Sequence, residues 1–209
     1  GGAALVQAQT VPANVDQARM TAADGEPGQW MGPGRTYGEQ RYSPLDQINA
    51  DNVTDLGLAW YADIAVDRGV EASPLMIDGV LYNIEPWNVT VAYDAKTGEE
   101  LWKTESKNFM SSKPGEFHGS WSTPVIHGSG DKAVMFLSMP LKLYALKPRT
   151  GDILWTCDGP GKLVYTSPLV NAEVALTMSG YGGPSLAVRR GGSGDVTESH
   201  RLWHKTERA

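Results

Sequence analysis

"AYDAKTGEELW" occupies Ala92–Trp102 and "ALKPRTGDILW" occupies Ala145–Trp155. Ala, Thr-Gly and Trp stand at the same offsets in both strings, 53 residues apart, so A-x-x-x-x-T-G-x-x-x-W is a repeated unit rather than an accident of composition. Each residue type has a physical reason. Gly98 and Gly151 supply the positive φ that a tight turn after Thr97 and Thr150 demands. Asp94 accepts from turn amides, a role that Lys147 cannot copy. Ala92 and Ala145 keep their strand thin, and Trp102 and Trp155 offer a broad apolar face with one N–H that wants a partner. A string of this kind suits packing between one repeated sheet and the next.

The surrounding chain repeats in phase with it. "SPLMIDGVLYNI" (73–84) is two apolar runs about Asp78-Gly79, a strong short-range hairpin signal. With "VTVAYDAKTGEELWKT" (89–104) it predicts four antiparallel strands. The plan recurs in "STPVI", "AVMFLSM", "LKLYALK" and "DILWTC", and then in "TSPLV", "VALTMS", "PSLAVR" and "HRLWHK" around the Gly-rich insertion "RGGSGDVTES". Pro74, Pro124 and Pro168 each follow Ser or Thr at the start of a unit, 50 and 44 residues apart. Trp102, Trp155 and Trp203 close the units, 53 and 48 apart, and the third unit keeps only Ala187 and Trp203 of the string. Four short strands at this period predict β-propeller blades, at about 71–104, 120–157 and 164–205. A β-sandwich of equal strand count would not repeat a turn-plus-Trp string in phase.

Ahead of the blades, residues 11–64 form an amino-terminal arm, and 65–209 the blades. "VPANVDQARMTAAD" (11–24) predicts one short helix capped by Asn14, and "NADNVTDLG" (49–57) a helical turn capped by Asn49 or Asp51. "LAWYADI" (58–64) alternates like a strand, and the Gly/Pro-rich loop 25–46 must bury Trp30, Tyr37 and Tyr42. "GGAALVQAQT" (1–10) reads either as the tail of a secretory signal, with Val6 and Ala8 before a cleavage point, or as a small-residue terminus.

A length of 209 residues, 41% hydrophobic with seven Trp and eight Tyr, suits a globular chain. A net charge of −6 and no polybasic run give no footprint for nucleic acid or a membrane surface. No apolar run approaches the roughly 18 residues that a membrane span needs. The single cysteine, Cys157, makes no intramolecular disulfide and says nothing of compartment.

A-x-D-x-x-T-G-x-x-x-W resembles the tryptophan-docking motif of the eight-bladed quinoprotein propellers, the pyrroloquinoline quinone (PQQ) dehydrogenases. It is complete at Ala92–Trp102 and departs once, at Lys147, in the second copy. "GRTYGEQRYSPLDQINADNVTDLGLAWYADI" (34–64) and "RGVEASPLMIDGVLYNIEPWNVTVAYDAKTGEELW" (68–102) are similar to the amino-terminal segment of PQQ-dependent alcohol dehydrogenases. Beyond Lys107, "GEFHGSWSTPVI" and "GYGGPSLAVRRGGSGDVTESHRLW" resemble PQQ-like repeat proteins, many without a catalytic site. The resemblance implies a partial all-β propeller of about three four-stranded blades, in a periplasmic or secreted protein that uses PQQ and Ca²⁺. The intact family oxidises a small primary alcohol and passes electrons to a cytochrome. The alternative is a non-catalytic repeat scaffold for protein partners.

Glu71 matches the family glutamate that hydrogen-bonds the quinone, and is expected on an inner strand near the axis. The rest of that site is harder to place. The stretch where the family carries adjacent cysteines, "ESKNFMSSKPGEF", has none, and "MSGYGGPS" (178–185) lacks the carboxylate expected for calcium, which needs six to eight oxygens. No catalytic or metal residue is assigned. His118 and His127, with Glu116 near the first, have no ligand spacing and are expected on loops. On one strand His200 and His204 would stand about 13 Å apart, too far for one ion. "GGSGD" (191–195) lacks the Lys-Ser/Thr and the helix of a phosphate loop. Three blades do not close a ring, so the chain is expected to be a partial gene product, completed by further blades or by self-association, and inactive alone.

Overall fold

In the computed structural model, which describes residues 13–64, 69–106 and 116–206, the arm begins with α1 (Gln17–Thr21). Asp16, not Asn14, caps it, accepting from the Arg19 amide at 2.8 Å. Asn14 lies two residues too early, and its carbonyl instead accepts from the Arg19 guanidinium. The chain then docks on the first blade. Trp30 pairs with Met76, and Arg19 binds Glu26 and Asp78 together. Residues 1–10, with the cleavage-site reading, lie outside the described residues.

Asp78 and Gly79, at φ 51° and 83°, make the two-residue turn that joins β1 (Leu75–Ile77) to β2 (Val80–Glu85). β3 (Val89–Asp94) and β4 (Glu100–Glu105) complete a sheet in the order β1-β2-β3-β4, antiparallel throughout. After β5 (Gly119–Ser120), the second sheet runs β6 (Val125–His127), β7 (Val134–Met139), β8 (Lys142–Leu146) and β9 (Ile153–Asp158). β10 (Leu163–Val164) pairs parallel with β5 and leads to β11 (Leu169–Val170), β12 (Val174–Met178) and β13 (Ser185–Arg189).

The insertion is structured. It contains β14 (Gly194–Asp195) and α2 (Thr197–His200) before β15 (Arg201–Lys205) closes the third sheet. β14 pairs parallel with β9, Gly194 opposite Trp155, and makes the second sheet five-stranded. Val196 follows it into the core between the second and third units. Pairing within each four-strand unit is antiparallel, and the parallel pairs β5–β10 and β9–β14 join successive units.

The register repeats. Ala92 faces Trp102, Ala145 faces Trp155 and Ala187 faces Trp203, and in each sheet a bulge follows directly. Another repetition links the sheets at the dipeptides before the innermost strands. The Ser73 amide donates to Thr123 Oγ1 and the Thr123 amide to Ser167 Oγ, each at 3.0 Å. Thus the residues before Pro74 and Pro124 each stitch their blade to the next. One core cluster lies between the first two sheets and the arm, and a second between the last two sheets.

Three further sequence expectations need correction. Residues 58–64 form no strand, because alternation needs a partner edge and no described residue offers one. Tyr37 and Tyr42 are 63% and 69% exposed, since nothing described covers the loop, while Trp30 is half-buried. The turn at 53–55 is preceded by Asn52 rather than capped by Asn49 or Asp51, and the Asn52 carboxamide folds back to the Asn49 amide.

Candidate functional site

In each antiparallel sheet the start of the first strand, the end of the second and the start of the third share one end. At that end, between the first and second blades, lies a cavity of about 220 Å³ lined by Glu71, Glu85, Trp87, Phe117, His118 and Trp121. Glu71 stands at its rim, exposed, on the loop four residues before β1 rather than on the inner strand itself. A loop carboxylate can adjust to a ligand more freely than one fixed in a ladder.

Glu85 is buried at the end of β2. It accepts from the Tyr93 hydroxyl at 2.7 Å and faces Lys103 Nζ at 3.4 Å. Burial and then this carboxylate hold the Tyr93 hydroxyl protonated well above the ordinary tyrosine range. The corner after Glu85 is strained. Trp87 has φ 65° and ψ 23° and Asn88 φ 61°, left-handed positions that cost on the order of 1–3 kcal/mol each. Asn88 Oδ1 accepts from the Ser120 amide at 3.0 Å, and this bond ties the corner to the segment entering the second blade.

Aromatic rings run from this cavity along the same end. Trp87 and Phe117 are 6.3 Å apart, Phe117 and Trp121 6.0 Å, and Trp121 stacks on Tyr165 at 4.7 Å with an interplanar angle of 1°. Tyr181 meets Tyr165 edge-on at 4.6 Å. The sequence reading missed this group, although Trp87, Phe117, Trp121, Tyr165 and Tyr181 all fall in loops at strand starts or second-strand ends.

The other candidates scatter. His118 sits in the cavity wall 3.6 Å from Glu116, which also pairs with Lys162. His127 lies not on a loop but at the end of β6, where Nδ1 faces the Arg190 guanidinium at 2.8 Å. His200 ends α2 and so does not share a strand with His204 on β15. Cys157 is buried, and burial raises its thiol pKa. In "MSGYGGPS", Ser179 Oγ accepts from the Gly161 amide and Tyr181 points into solvent. Among the described residues no three His, Cys, Asp or Glu side chains are grouped to hold an ion.

The repeated string has its own geometry. Asp94 Oδ1 accepts from the amides of Lys96 and Thr97. Gly98 and Gly151 take φ 75° and 72°. In the second copy Thr150 donates to Asp152 instead, with Lys147 nearby. Trp102 Nε1 donates to the Pro148 carbonyl of the second blade at 2.9 Å. Trp60 does the same to Ala95 in the first blade at 3.0 Å. Ala95 and Pro148 hold equivalent places, three residues after Ala92 and Ala145, so Trp60 is a further member of the series. Its sequence signals are the 42-residue spacing to Trp102 and Ala50 ten residues before it, without the Thr-Gly. Trp155 packs with Ala175, Leu186 and Val188 of the third sheet, whereas Trp203 is 40% exposed.

Residues 30–162 match the family model described as the β-propeller domain of glucose/ethanol/alcohol dehydrogenases, of PQQ type. The chain belongs to this quinoprotein dehydrogenase family. Among its quinoprotein relatives, the quinohemoprotein alcohol dehydrogenase ADH-IIG of Pseudomonas putida is 40% identical over 188 residues, 87% of this chain and 26% of that protein. The solved structure of that enzyme superposes with a TM-score of 0.71, 30% identity, and coverage of 94% of this chain and 29% of that one. Quinohemoprotein alcohol dehydrogenase from Comamonas testosteroni gives a TM-score of 0.71 at 28% identity, covering 92% of this chain and 29% of its own. The chain thus spans about a quarter of the length of the curated quinoproteins it matches. The partial propeller agrees with this, and no helix among the described residues is long and apolar enough to cross a membrane.

Proposed function

We propose that this chain carries the first blades of a PQQ-dependent alcohol dehydrogenase, with one wall of the cofactor pocket. The whole protein oxidises a small primary alcohol in the periplasm and delivers electrons to a cytochrome. The observation that carries this reading is Glu71, which stands at the rim of the one-ended cavity between the first two blades. The residues present fit PQQ in part. Trp87, Phe117 and Trp121 line the cavity with aromatic surface for a flat ring system, and Glu71 is an acceptor for its ring N–H. PQQ, when bound, supplies the two-electron oxidant.

Calcium does not fit the described residues, which offer no cluster of carboxylates for its six to eight oxygens. Its ligands are therefore not assigned to this chain. What these residues do is hold and orient. Glu71 would accept from the ring N–H, the aromatic wall would exclude water from one side, and the buried Glu85–Tyr93 pair, faced by the exposed Lys103, keeps the β2 end rigid. Ala92, Asp94, Thr97, Gly98 and Trp102, with Ala145, Thr150, Gly151 and Trp155, dock the blades. Ala187 and Trp203 present the same pairing to a following blade.

Binding tests the reading. Purified 1–209 should bind PQQ in equilibrium dialysis, and Glu71→Gln should weaken it about tenfold, as expected for a hydrogen bond to a charged group. A variant that binds as tightly as the parent removes Glu71 from the site.

A further inference from the structure

We propose that the Ala95–Gly98 turn of the first blade is a docking socket for the outer-strand tryptophan of a second copy, and that Trp60 plugs it. The proposal is independent of the cofactor reading. Trp102 shows what such a socket requires. Its indole donates to the Pro148 carbonyl and lies over Gly151, where a Cβ would stand 2.5 Å from the ring. Trp60 repeats both contacts on the first blade. It donates to the Ala95 carbonyl, and a Cβ on Gly98 would stand 2.7 Å from its ring. The turn by which the first blade would receive another sheet is therefore filled from the chain's own arm.

The plug brings no sheet with it. Trp102 belongs to β4, which is paired along its length with β3. By contrast, no backbone hydrogen bond joins residues 58–64 to another described residue, and the flanking Leu58 and Tyr61 are 80% and 72% exposed. Trp60 itself has the Ala95 bond, the Gly98 contact and a tilted ring contact with Tyr93 at 6.1 Å. At the far end of the chain, Trp203 faces Ala187 in the register in which Trp102 faces Ala92, and it is 40% exposed. It is a docking tryptophan whose complement is the turn that Trp60 covers. Because the two surfaces differ, contact between copies would be head to tail and would repeat from copy to copy. Tethering keeps the socket closed. A group on a short flexible linker acts at an effective concentration on the order of millimolar, which a second copy at micromolar concentration does not match.

Sedimentation velocity of purified 1–209 tests the plug, at loading concentrations of about 1–100 µM and with melting curves as the fold control. The parent should stay monomeric. Trp60→Ala should associate, with an association constant at least about tenfold above any in the parent. Adding Trp203→Ala to that variant should restore the monomer. Trp60→Phe keeps a ring but loses the N–H to Ala95, so it should associate to a smaller extent. That variant keeps the test decisive if Trp60→Ala misfolds. A parent that associates, or folded Trp60 variants that stay monomeric throughout, would overturn the plug. Association of Trp60→Ala that persists without the Trp203 ring would overturn the head-to-tail contact, and the proposal with it.

Discussion

The Trp102 indole lies directly over Gly151, so closely that a Cβ on the glycine would stand 2.5 Å from the ring. Trp102 ends the first blade and Gly151 turns the second, so this contact spans the joint between them. Gly151→Ala should therefore be destabilising for two reasons, the φ of 72° and the clash. Together they should cost about 2–4 kcal/mol, read as a lowered denaturation midpoint. An unchanged midpoint would mean that the ring can leave the turn without loss.

Trp155 and Trp203 have the same register but different surroundings. Trp155 is 2% exposed and sits in the second core, whereas Trp203 is 40% exposed. Trp155→Ala should cost about 3–5 kcal/mol and leave a barely folded chain, given that domains hold only about 5–15 kcal/mol in total. Trp203→Ala should stay within about 1 kcal/mol of the parent. Equal losses would contradict the difference in packing.

Thr123 sits in the middle of the hydroxyl relay, accepting from Ser73 and donating its amide to Ser167. Thr123→Val keeps the shape but strands the Ser73 amide, and should cost about 1–2 kcal/mol in urea unfolding. Thr123→Ser should recover most of it. If Val and Ser behave alike, the bond contributes nothing to the blade joint.

The repeat and its turn chemistry were legible in the sequence because they are local. Asp78-Gly79 needs only its own backbone, and the strings about Thr97-Gly98 and Thr150-Gly151 recur in phase. Trp60 was not legible, because its partner Ala95 is 35 residues away and, although Ala50 stands ten residues before it, Asp55-Leu56 take the places of Thr-Gly. "LAWYADI" alternates like a strand, but alternation cannot supply the neighbouring edge. The aromatic wall was equally hidden. Phe117 and Trp121 meet Trp87 only after the first blade has folded back on the second, and the left-handed corner at Trp87 has no glycine to announce it.

The His127–Arg190 contact predicts pH dependence. Burial first, and then the Arg190 charge, lower the His127 pKa below its ordinary value. With the native pKa depressed, the unfolded chain takes up the proton first, so stability falls as pH drops through about 6.5 toward the native value. The melting temperature should be level above that pH and decline below it. His127→Gln, whose carbonyl can still accept from Arg190, should flatten the decline between about pH 7 and 5.5. A slope identical to the parent would place the titration elsewhere.

The last prediction concerns turnover. Purified 1–209, given ethanol, PQQ, Ca²⁺ and a phenazine dye, should show no alcohol oxidation. Two observations motivate this. The described residues hold no cluster able to ligate calcium, and among the described residues lining the cavity the one carboxylate besides Glu71 is Glu85, which is already engaged by Tyr93 and Lys103. An alcohol must lose its hydroxyl proton and a hydride equivalent, and a base committed to other partners is poorly placed to take the proton. Lewis-acid assistance is worth several kcal/mol of barrier, and each 1.36 kcal/mol is about tenfold in rate. Losing both base and metal should therefore take turnover below detection, while binding of PQQ persists. Calcium-dependent dye reduction that disappears in Glu71→Gln would refute this, and would show that copies of the chain complete one another's site by self-association.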